Sequence, residues 1–207
     1  HPARVTSLEI CPSGKLLLST DEAGNIQICR ISEDSPPDLE PAVRETVHGP
    51  GPTHAVWLST QDPVWISAGA DGRICRGMHS TSLVRDHGTP IVALVRVSEQ
   101  EIAFADEANR LYVLHLGTHK LRELVRSWRA PIQSLLADGG CLVAVDGQQG
   151  IHAWILSAEE TAAWSLRLEE PIVFADMGGG LLYVGTREDQ VRTIDLETGR
   201  LLRGFTM

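Results

Sequence analysis

The chain has 207 residues, of which 43% are apolar and 22% are charged, and its formal net charge is −9 with neutral histidines. This composition is ordinary for a folded globular protein, and no apolar run reaches the roughly eighteen residues of a membrane-spanning helix. The acidic balance also disfavours direct nucleic-acid binding, which depends on clustered lysine and arginine. We therefore expect neither a membrane nor a nucleic acid among the direct partners.

A short apolar strand that follows a polar turn recurs along the chain. The strands begin at Ile26, Ile74, Leu111, Ile151 and Val191, with spacings of 48, 37, 40 and 40 residues. A period of about forty residues with several short strands per unit is typical of β-propellers. The sequence therefore predicts an all-β fold, a β-propeller of four-stranded antiparallel blades, as a single domain over residues 1–207.

Taken in chain order, the repeat units cover approximately residues 1–50, 51–88, 89–130, 131–170 and 171–207. In the first unit, the polar, proline-rich stretch 32–38 predicts a surface insertion, followed by a short outer strand near 42–47. In the fourth and fifth units, the glycines of 139–140 and 178–180 predict tight hairpins between the first and second strands, because glycine adopts positive φ at little cost. Residues 157–162 are the one candidate for a helical turn.

The cysteines predict a reducing compartment. Cys11, Cys29, Cys75 and Cys141 form no Cys-x-x-Cys pair, and most lie in apolar strands. Free cysteine in such a context behaves as a small apolar core residue. No apolar segment typical of a signal peptide follows the first residues. We therefore expect an intracellular, cytoplasmic protein with reduced cysteines, a nuclear location remaining open, and we expect the sequence to be a fragment or processed product because it lacks an initiator Met.

The first unit resembles a WD repeat. It places His1 before a V-x-S-L strand at 5–8, a turn at 12–15, an L-L-x-S strand at 16–19 and a G-x-I-x-I strand at 24–28. In the other units the similarity is weaker. Trp154 and Asp195 fall at the family's Trp and Asp positions, whereas the Trp position in the remaining units is Cys29, Gly77, Leu114 and Ile194.

The resemblance implies a divergent WD-repeat-like propeller in which the family's Asp/His/Ser/Trp hydrogen-bond network is absent or incomplete. It also implies that His1, His54 and His87, which lie near unit starts, are structural. Two arrangements follow. In one, the strand at 201–207 completes the first blade and closes a five-bladed ring. In the other, the five units are part of a seven-bladed ring whose further repeats come from the same parent chain.

Catalytic, cofactor and metal motifs are not found in the sequence, which predicts no enzyme activity and no cofactor or metal site. Trp57, Trp65 and Trp154 lie within strand patterns and are expected in the core. Trp128 differs because it precedes Arg129 at a loop junction. An aromatic residue beside arginine is typical of interface hot spots, although a tryptophan that covers the gap between two blades fits the pattern equally well.

Acidic residues dominate the loops that a propeller gathers on one face. Such a face would steer a basic partner segment into place. The alternative explanation of these residues is a solvated face rich in turn-forming aspartates. The carboxylates with the strongest claim to partner binding are Glu169, Glu170, Glu188 and Asp189. The other acidic residues of these loops are Asp21, Glu22, Asp71, Asp86, Asp106, Glu107 and Asp146.

Three functions remain open at this point. The WD-repeat resemblance implies a non-catalytic protein–protein interaction scaffold that holds partners in a complex. The first alternative is a sensor or autoinhibitory propeller of a multidomain signalling protein. The second is a propeller hydrolase with a site in the central channel, which would need converging histidines and carboxylates at the ends of the inner strands.

Overall fold

The structure, a computed structural model, describes residues 1–34, 37–59, 63–78, 80–156, 163–187 and 190–206. The regular structure in these ranges consists of twenty β-strands in five four-stranded sheets. Each sheet is an antiparallel meander in which strands adjacent in the chain are paired. The prediction of an all-β fold of four-stranded antiparallel blades is confirmed.

The strand bounds, blade by blade, are as follows. Blade 1 contains β1 (Val5–Ile10), β2 (Leu16–Asp21), β3 (Asn25–Ile31) and β4 (Leu39–Thr46). Blade 2 contains β5 (Thr53–Trp57), β6 (Trp65–Gly69), β7 (Arg73–Gly77) and β8 (Thr81–Asp86). Blade 3 contains β9 (Ile91–Arg96), β10 (Glu101–Asp106), β11 (Leu111–His115) and β12 (Leu121–Val125). Blade 4 contains β13 (Ile132–Asp138), β14 (Cys141–Asp146), β15 (Gly150–Ile155) and β16 (Trp164–Arg167). Blade 5 contains β17 (Ile172–Gly178), β18 (Leu181–Thr186), β19 (Gln190–Asp195) and β20 (Leu201–Thr206).

Consecutive blades pack face to face through apolar side chains. The first strands β1, β5, β9, β13 and β17 are neighbours in space, so they form the inner side of the array. Between blades 2 and 3, for example, the cluster includes Ile66, Ile74 and Phe104, all fully buried. Burying one such side chain stabilises the fold by about 1.5–3 kcal/mol. Each blade therefore depends on its neighbours to cover its two faces.

Glycine turns set the register in the fourth and fifth blades. Asp138 pairs with Cys141 across a two-residue loop in which Gly139 and Gly140 have φ of 56° and 82°. Two consecutive positive φ values define the hairpin turn whose twist matches that of the strands. The predicted tight hairpin is therefore confirmed here, and the loop at 179–180 repeats it with φ of 63° and 79°.

The outer strands differ in detail from the sequence-based expectation. In blade 1 the outer strand β4 begins earlier than predicted, at Leu39, and pairs with β3 along its length. Blade 2 has a complete outer strand, β8, that the sequence pattern did not define. The helical turn predicted at 157–162 lies outside the described residues, as does part of the insertion at 32–38. The four cysteines are free, and Cys11, Cys29 and Cys75 are buried.

Of the two arrangements that the sequence left open, the one in which residues 201–207 complete the first blade is not the one that the structure has. Strand β20 pairs with β19 and completes blade 5, while blade 1 has its own fourth strand. Leu8 and Ile10 on the outward face of blade 1 are 64% and 57% exposed, and Phe174 on the outward face of blade 5 is 44% exposed. The first and last blades of this five-bladed array are therefore not packed against each other.

Candidate partner-binding cleft between blades 3 and 4

One position recurs at every blade junction. It lies four or five residues before the first strand of a blade and is occupied by His1, His48, His87, Trp128 and Leu168 in blades 1 to 5. We call these the junction residues. Where a preceding blade is present, the backbone N–H of the junction residue donates to a carbonyl in that blade's turn between its second and third strands. The acceptors are the carbonyl oxygens of Gly24, Gly72, Asn109 and Gln149.

These acceptor residues all have positive φ. The values are 78° at Gly24, 74° at Gly72, 58° at Asn109 and 64° at Gln149. Glycine and, among other residues, asparagine reach this region most readily. The repeated backbone conformation and hydrogen bond place the five junction residues in equivalent positions, so their side chains are directly comparable.

In blades 1 and 2 the junction residue is a histidine bound on both ring nitrogens. His48 Nδ1 lies 2.9 Å from Asp71 Oδ1, and its Nε2 lies 2.8 Å from Ser67 Oγ. His1 repeats the arrangement, with distances of 2.8 Å to Asp21 and 2.7 Å to Ser19. The His–Ser–Asp part of the network is therefore present in these two blades, which agrees with the expectation of an incomplete network. Its Trp member is missing, because Cys29 and Gly77 occupy that position.

The structural histidine of blade 2 is His48, and its prediction as His54 was wrong. His54 lies on β5 opposite Ala68 and does not occupy the junction position. The family's Trp position in this blade is Gly77, and the ring of Trp65, directly opposite on β6, occupies the space where a Cβ would lie. Trp57 and Trp65 are both buried, as predicted.

In blade 3 the network changes partners. His87 Nε2 lies 3.0 Å from Asp106 Oδ2, and Arg110 Nε donates to the same oxygen at 2.8 Å. The rings of Phe104 and Tyr112 pack edge-on against His87 at centroid distances of 5.0 and 4.9 Å. The serine of blades 1 and 2 is thus replaced by aromatic packing, and Arg110 is added as a further partner of the aspartate.

In blade 4 the junction residue is Trp128, which takes over the hydrogen bond of the histidines. Its Nε1–H donates to Asp146 Oδ2 at 3.1 Å. The other carboxylate oxygen, Oδ1, accepts from the backbone N–H groups of Gln148 and Gly150 at 2.8 and 2.9 Å. Asp146 therefore fixes both the turn after β14 and the plane of the Trp128 ring.

The Trp128 ring also belongs to an aromatic cluster. Its centroid lies 5.5 Å from that of Trp154 and 4.5 Å from that of His152, in both cases edge to face. Trp154 is buried, as predicted, whereas Trp128 is partly exposed. Aromatic pairs of this geometry contribute about 0.5–1.5 kcal/mol beyond their buried area. The ring is thus held rigidly while one side of it remains open.

Trp128 borders a cleft of about 580 Å³ between the outer parts of blades 3 and 4. We call it the Trp128 cleft, and define it by lining residues from segments 124–130, 146–154 and 165–167. Its apolar surface comes from Leu124, Val125, Trp154 and Leu166 together with Trp128. A concave apolar surface with a few polar groups is the usual form of a ligand site.

The polar groups of the cleft have shifted proton affinities. Burial alone would raise the pKa of Asp146, but hydrogen bonds from Gly150, Trp128 and Gln148 outweigh it and hold the pKa below its usual value. Burial lowers the pKa of His152, with Asp146 opposing the change. At neutral pH Asp146 is therefore ionised and His152 is predominantly uncharged.

Two arginines stand at the rim of the Trp128 cleft. Arg129 and Arg167 both line it and are both exposed. Among the described residues neither of them forms an ion pair, whereas Arg126 lies 3.8 Å from Glu123. The prediction had singled out Trp128 and Arg129, and the structure places them side by side at one cleft. It also shows Trp128 in the covering role that was the alternative interpretation.

The four acidic residues predicted to bind partners differ in their surroundings. Glu170 Oε1 accepts from Arg192 at 2.6 Å and is largely buried, while Glu169 is exposed. Glu188 and Asp189 lie outside the described residues. The assignment of partner binding to these four residues stays a prediction, with Glu170 already engaged inside blade 5.

Several of the other acidic residues predicted for this face form hydrogen bonds within their own blades. Asp21, Asp106 and Asp146 are buried acceptors within their own blades. Their pKa values are all lowered, since hydrogen bonds to each carboxylate outweigh the opposing effect of burial. These aspartates therefore contribute to the turns and junctions rather than to a free docking surface.

Sequence reasoning missed the junction network because its members are far apart in the chain. His48 and His152 were not assigned a role, and Asp146 was considered only as one of the acidic loop residues. Trp128 was singled out for its arginine neighbour or as a cover between two blades, without its bond to Asp146. The available signal was the constant distance of four or five residues from each junction residue to the next inner strand. That spacing places His48, rather than His54, in line with His87 and Trp128.

In the described part of the chain, no group of three or more His, Cys, Asp and Glu side chains is arranged to hold a metal ion. Likewise, no helix in these ranges is long and apolar enough to span a membrane.

Comparisons with known proteins find similarity of fold and none of sequence. The chain matches no protein-family model and no curated protein sequence at a significant level. Among solved structures, the computationally designed Ika8 protein aligns with a TM-score of 0.75 at 16% identity, over 100% of this chain and 63% of its own. Sqt1 of Saccharomyces cerevisiae aligns with a TM-score of 0.75 at 12% identity, over 97% of this chain and 61% of its own. The chain thus spans less than two thirds of either structure and shares their fold.

Proposed function

We propose that this chain is a non-catalytic protein-interaction propeller, of divergent WD-repeat type, that holds a partner polypeptide in the Trp128 cleft. The fold likeness to Sqt1 and the blade architecture support an interaction scaffold. The observation that carries the proposal is the exchange at the junction of blades 3 and 4. Where blades 1 to 3 place a buried histidine, Trp128 presents one side of a fixed ring to a cleft of about 580 Å³.

The physical basis is preorganisation. A partner side chain entering the cleft meets a surface whose rotamers are already fixed by the bond from Trp128 to Asp146 and by packing on Trp154. Little side-chain entropy is then lost on binding, so more of the contact energy appears as affinity. Tryptophan and arginine are also the residues most enriched in interface hot spots.

The test is affinity capture from cells with three tagged forms of the chain. The wild type is compared with Trp128→His, which keeps the junction donor of blades 1 to 3 but removes the large ring. The control is Tyr183→His, a matched aromatic change at an exposed position on β18 of blade 5. We expect a defined set of proteins bound by the wild type and Tyr183→His and lost with Trp128→His. The same set bound equally by all three forms would refute a role for the cleft.

A hydrolase is the second candidate, because Ser165, His152 and Asp146 follow one another in space. Ser165 Oγ lies 2.9 Å from His152 Nδ1, and His152 Nε2 lies 3.4 Å from Asp146 Oδ2. That last distance is longer than a normal hydrogen bond, and Asp146 already accepts from Trp128 and two backbone amides. The carboxylate is thus committed to structure, which favours binding over catalysis.

A serine-directed fluorophosphonate probe separates the two candidates. We expect no labelling of the wild type beyond that of Ser165→Ala, and unchanged partner capture by Ser165→Ala. Labelling that requires both Ser165 and His152 would establish the hydrolase instead.

A further inference from the structure

We propose that the Trp128 cleft selects a short acidic peptide segment with one large apolar side chain as its anchor. The inference rests on the proposed function and specifies the chemistry of the partner. It follows from the contrast between the apolar interior of the cleft and the positive charge of its rim.

The interior requires an apolar anchor. Trp128, Trp154 and Leu166 converge there from three different segments. The aromatic members are held edge to face and do not collapse onto one another. A leucine or aromatic side chain placed on this surface would be removed from water at both its faces, which is the main source of affinity at small interfaces.

The rim of the cleft favours a partner that carries negative charge. Arg129 and Arg167 project at the edge of the cleft and, within the described residues, have no carboxylate partner. Asp146, the carboxylate among the described lining residues, has a side chain only 8% exposed and already accepts hydrogen bonds from Trp128, Gln148 and Gly150. Among the described residues that line the cleft, the exposed charge is therefore that of the two guanidinium groups.

This positive rim is a local exception in a chain with a net charge of −9. Charges beyond roughly 8 Å are largely screened at physiological ionic strength, so a short segment responds to the rim arginines. A nucleic acid would bring many phosphates past the acidic remainder of the surface, and its affinity depends on neutralising several of them. An acidic peptide with a few carboxylates is therefore favoured over a single-stranded nucleic acid.

The probes are fluorescein-labelled peptides that share a central Leu-Phe pair and differ only in their flanks, which are Asp/Glu, Asn/Gln or Lys/Arg. A labelled oligouridylate serves as the nucleic-acid probe. Binding is measured by fluorescence anisotropy at low and at physiological salt. We expect the acidic peptide to bind about tenfold more tightly than the neutral one at low salt, with the difference shrinking as salt rises.

Two double variants with equal charge change isolate the rim. Arg129→Gln with Arg167→Gln should weaken binding of the acidic peptide about five- to tenfold and leave the neutral peptide unchanged. Arg30→Gln with Arg187→Gln, which removes two exposed arginines in blades 1 and 5, should change neither. Trp128→His should weaken binding of every peptide.

The outcomes distinguish failure of the inference from failure of the proposed function. Equal, Trp128-dependent binding of acidic, neutral and basic peptides would overturn the acidic selection and leave the interaction cleft intact. Tighter Trp128-dependent binding of oligouridylate would overturn the peptide assignment. Loss of any Trp128 dependence would overturn both proposals.

Discussion

Two junctions, between blades 1 and 2 and between blades 3 and 4, share one backbone arrangement. They differ in whether the junction side chain is buried or lies at a cleft. In the first, the side chain of His48 is 0% exposed and satisfied on both ring nitrogens. In the second, Trp128 makes the equivalent bond to Asp146 but leaves part of its ring at a cleft. The same backbone arrangement therefore accommodates a sealed junction with a histidine and an open junction with a tryptophan.

Removing the sealed network should have the largest effect on stability. His48→Ala would leave Ser67 and Asp71 without their imidazole partner in a buried site, and we expect a loss of about 3 kcal/mol in the free energy of unfolding. Urea denaturation followed by circular dichroism measures the change. His54→Ala, which changes a half-buried histidine on β5 outside the network, is the control and should cost clearly less than His48→Ala. Equal losses in the two variants would show that the junction network is not stabilising.

At the open junction, Asp146→Asn should destabilise the fold by about 1–2 kcal/mol at pH 7, because charge-assisted hydrogen bonds become neutral ones. The pKa of Asp146 is lowered in the folded state. Its ionised form therefore contributes stability above the unfolded pKa, and that contribution is lost as pH falls through the folded pKa. Wild type and Asp146→Asn should thus converge below about pH 4. A difference independent of pH would contradict this assignment.

The sealed junction also contains a carboxyl group shifted in the opposite direction. Burial raises the pKa of Glu9 to about 7, although the backbone N–H of Trp57 and the charge of Arg96 oppose the shift. A raised pKa contributes stability that is present below the unfolded pKa and lost as pH rises through about 7. Glu9→Gln should therefore be more stable than wild type above pH 7, by about 1 kcal/mol given the partial exposure of Glu9. Thermal melts at pH 5 and pH 8 test this, and a gain that is equal at both would contradict it.

Among the junction variants that are expected to lose stability, Trp128→His should lose the least. A histidine at this position supplies a ring N–H for Asp146, as His87 does for Asp106. We expect the hydrogen bond to persist and the loss of ring packing on Trp154 to cost about 1 kcal/mol. The melting temperature measures it. A collapse of the fold would mean that Trp128 is a core residue first and a cleft residue second.

The strands and turns of the blades could be predicted from the sequence, but the side-chain contacts at the junctions could not. Apolar alternation and glycine turns act over a few residues, so strands such as β14 and the hairpin at Gly139–Gly140 follow from local pattern. A junction joins residues about twenty apart, such as His48 and Asp71, and an aspartate in a turn looks the same whether it accepts from local amides alone or also from a distant ring. The cleft itself depends on Trp128, His152 and Leu166 meeting across two blades, which no local pattern encodes.

We propose that the exchange of histidine for tryptophan at one junction creates the binding site. This claim is tested most directly by measuring partner capture by Trp128→His at a temperature where this variant is shown by circular dichroism to be fully folded. The account predicts that the folded variant loses the partner while Tyr183→His retains it. A folded Trp128→His that captures the partner as well as the wild type does would contradict the account.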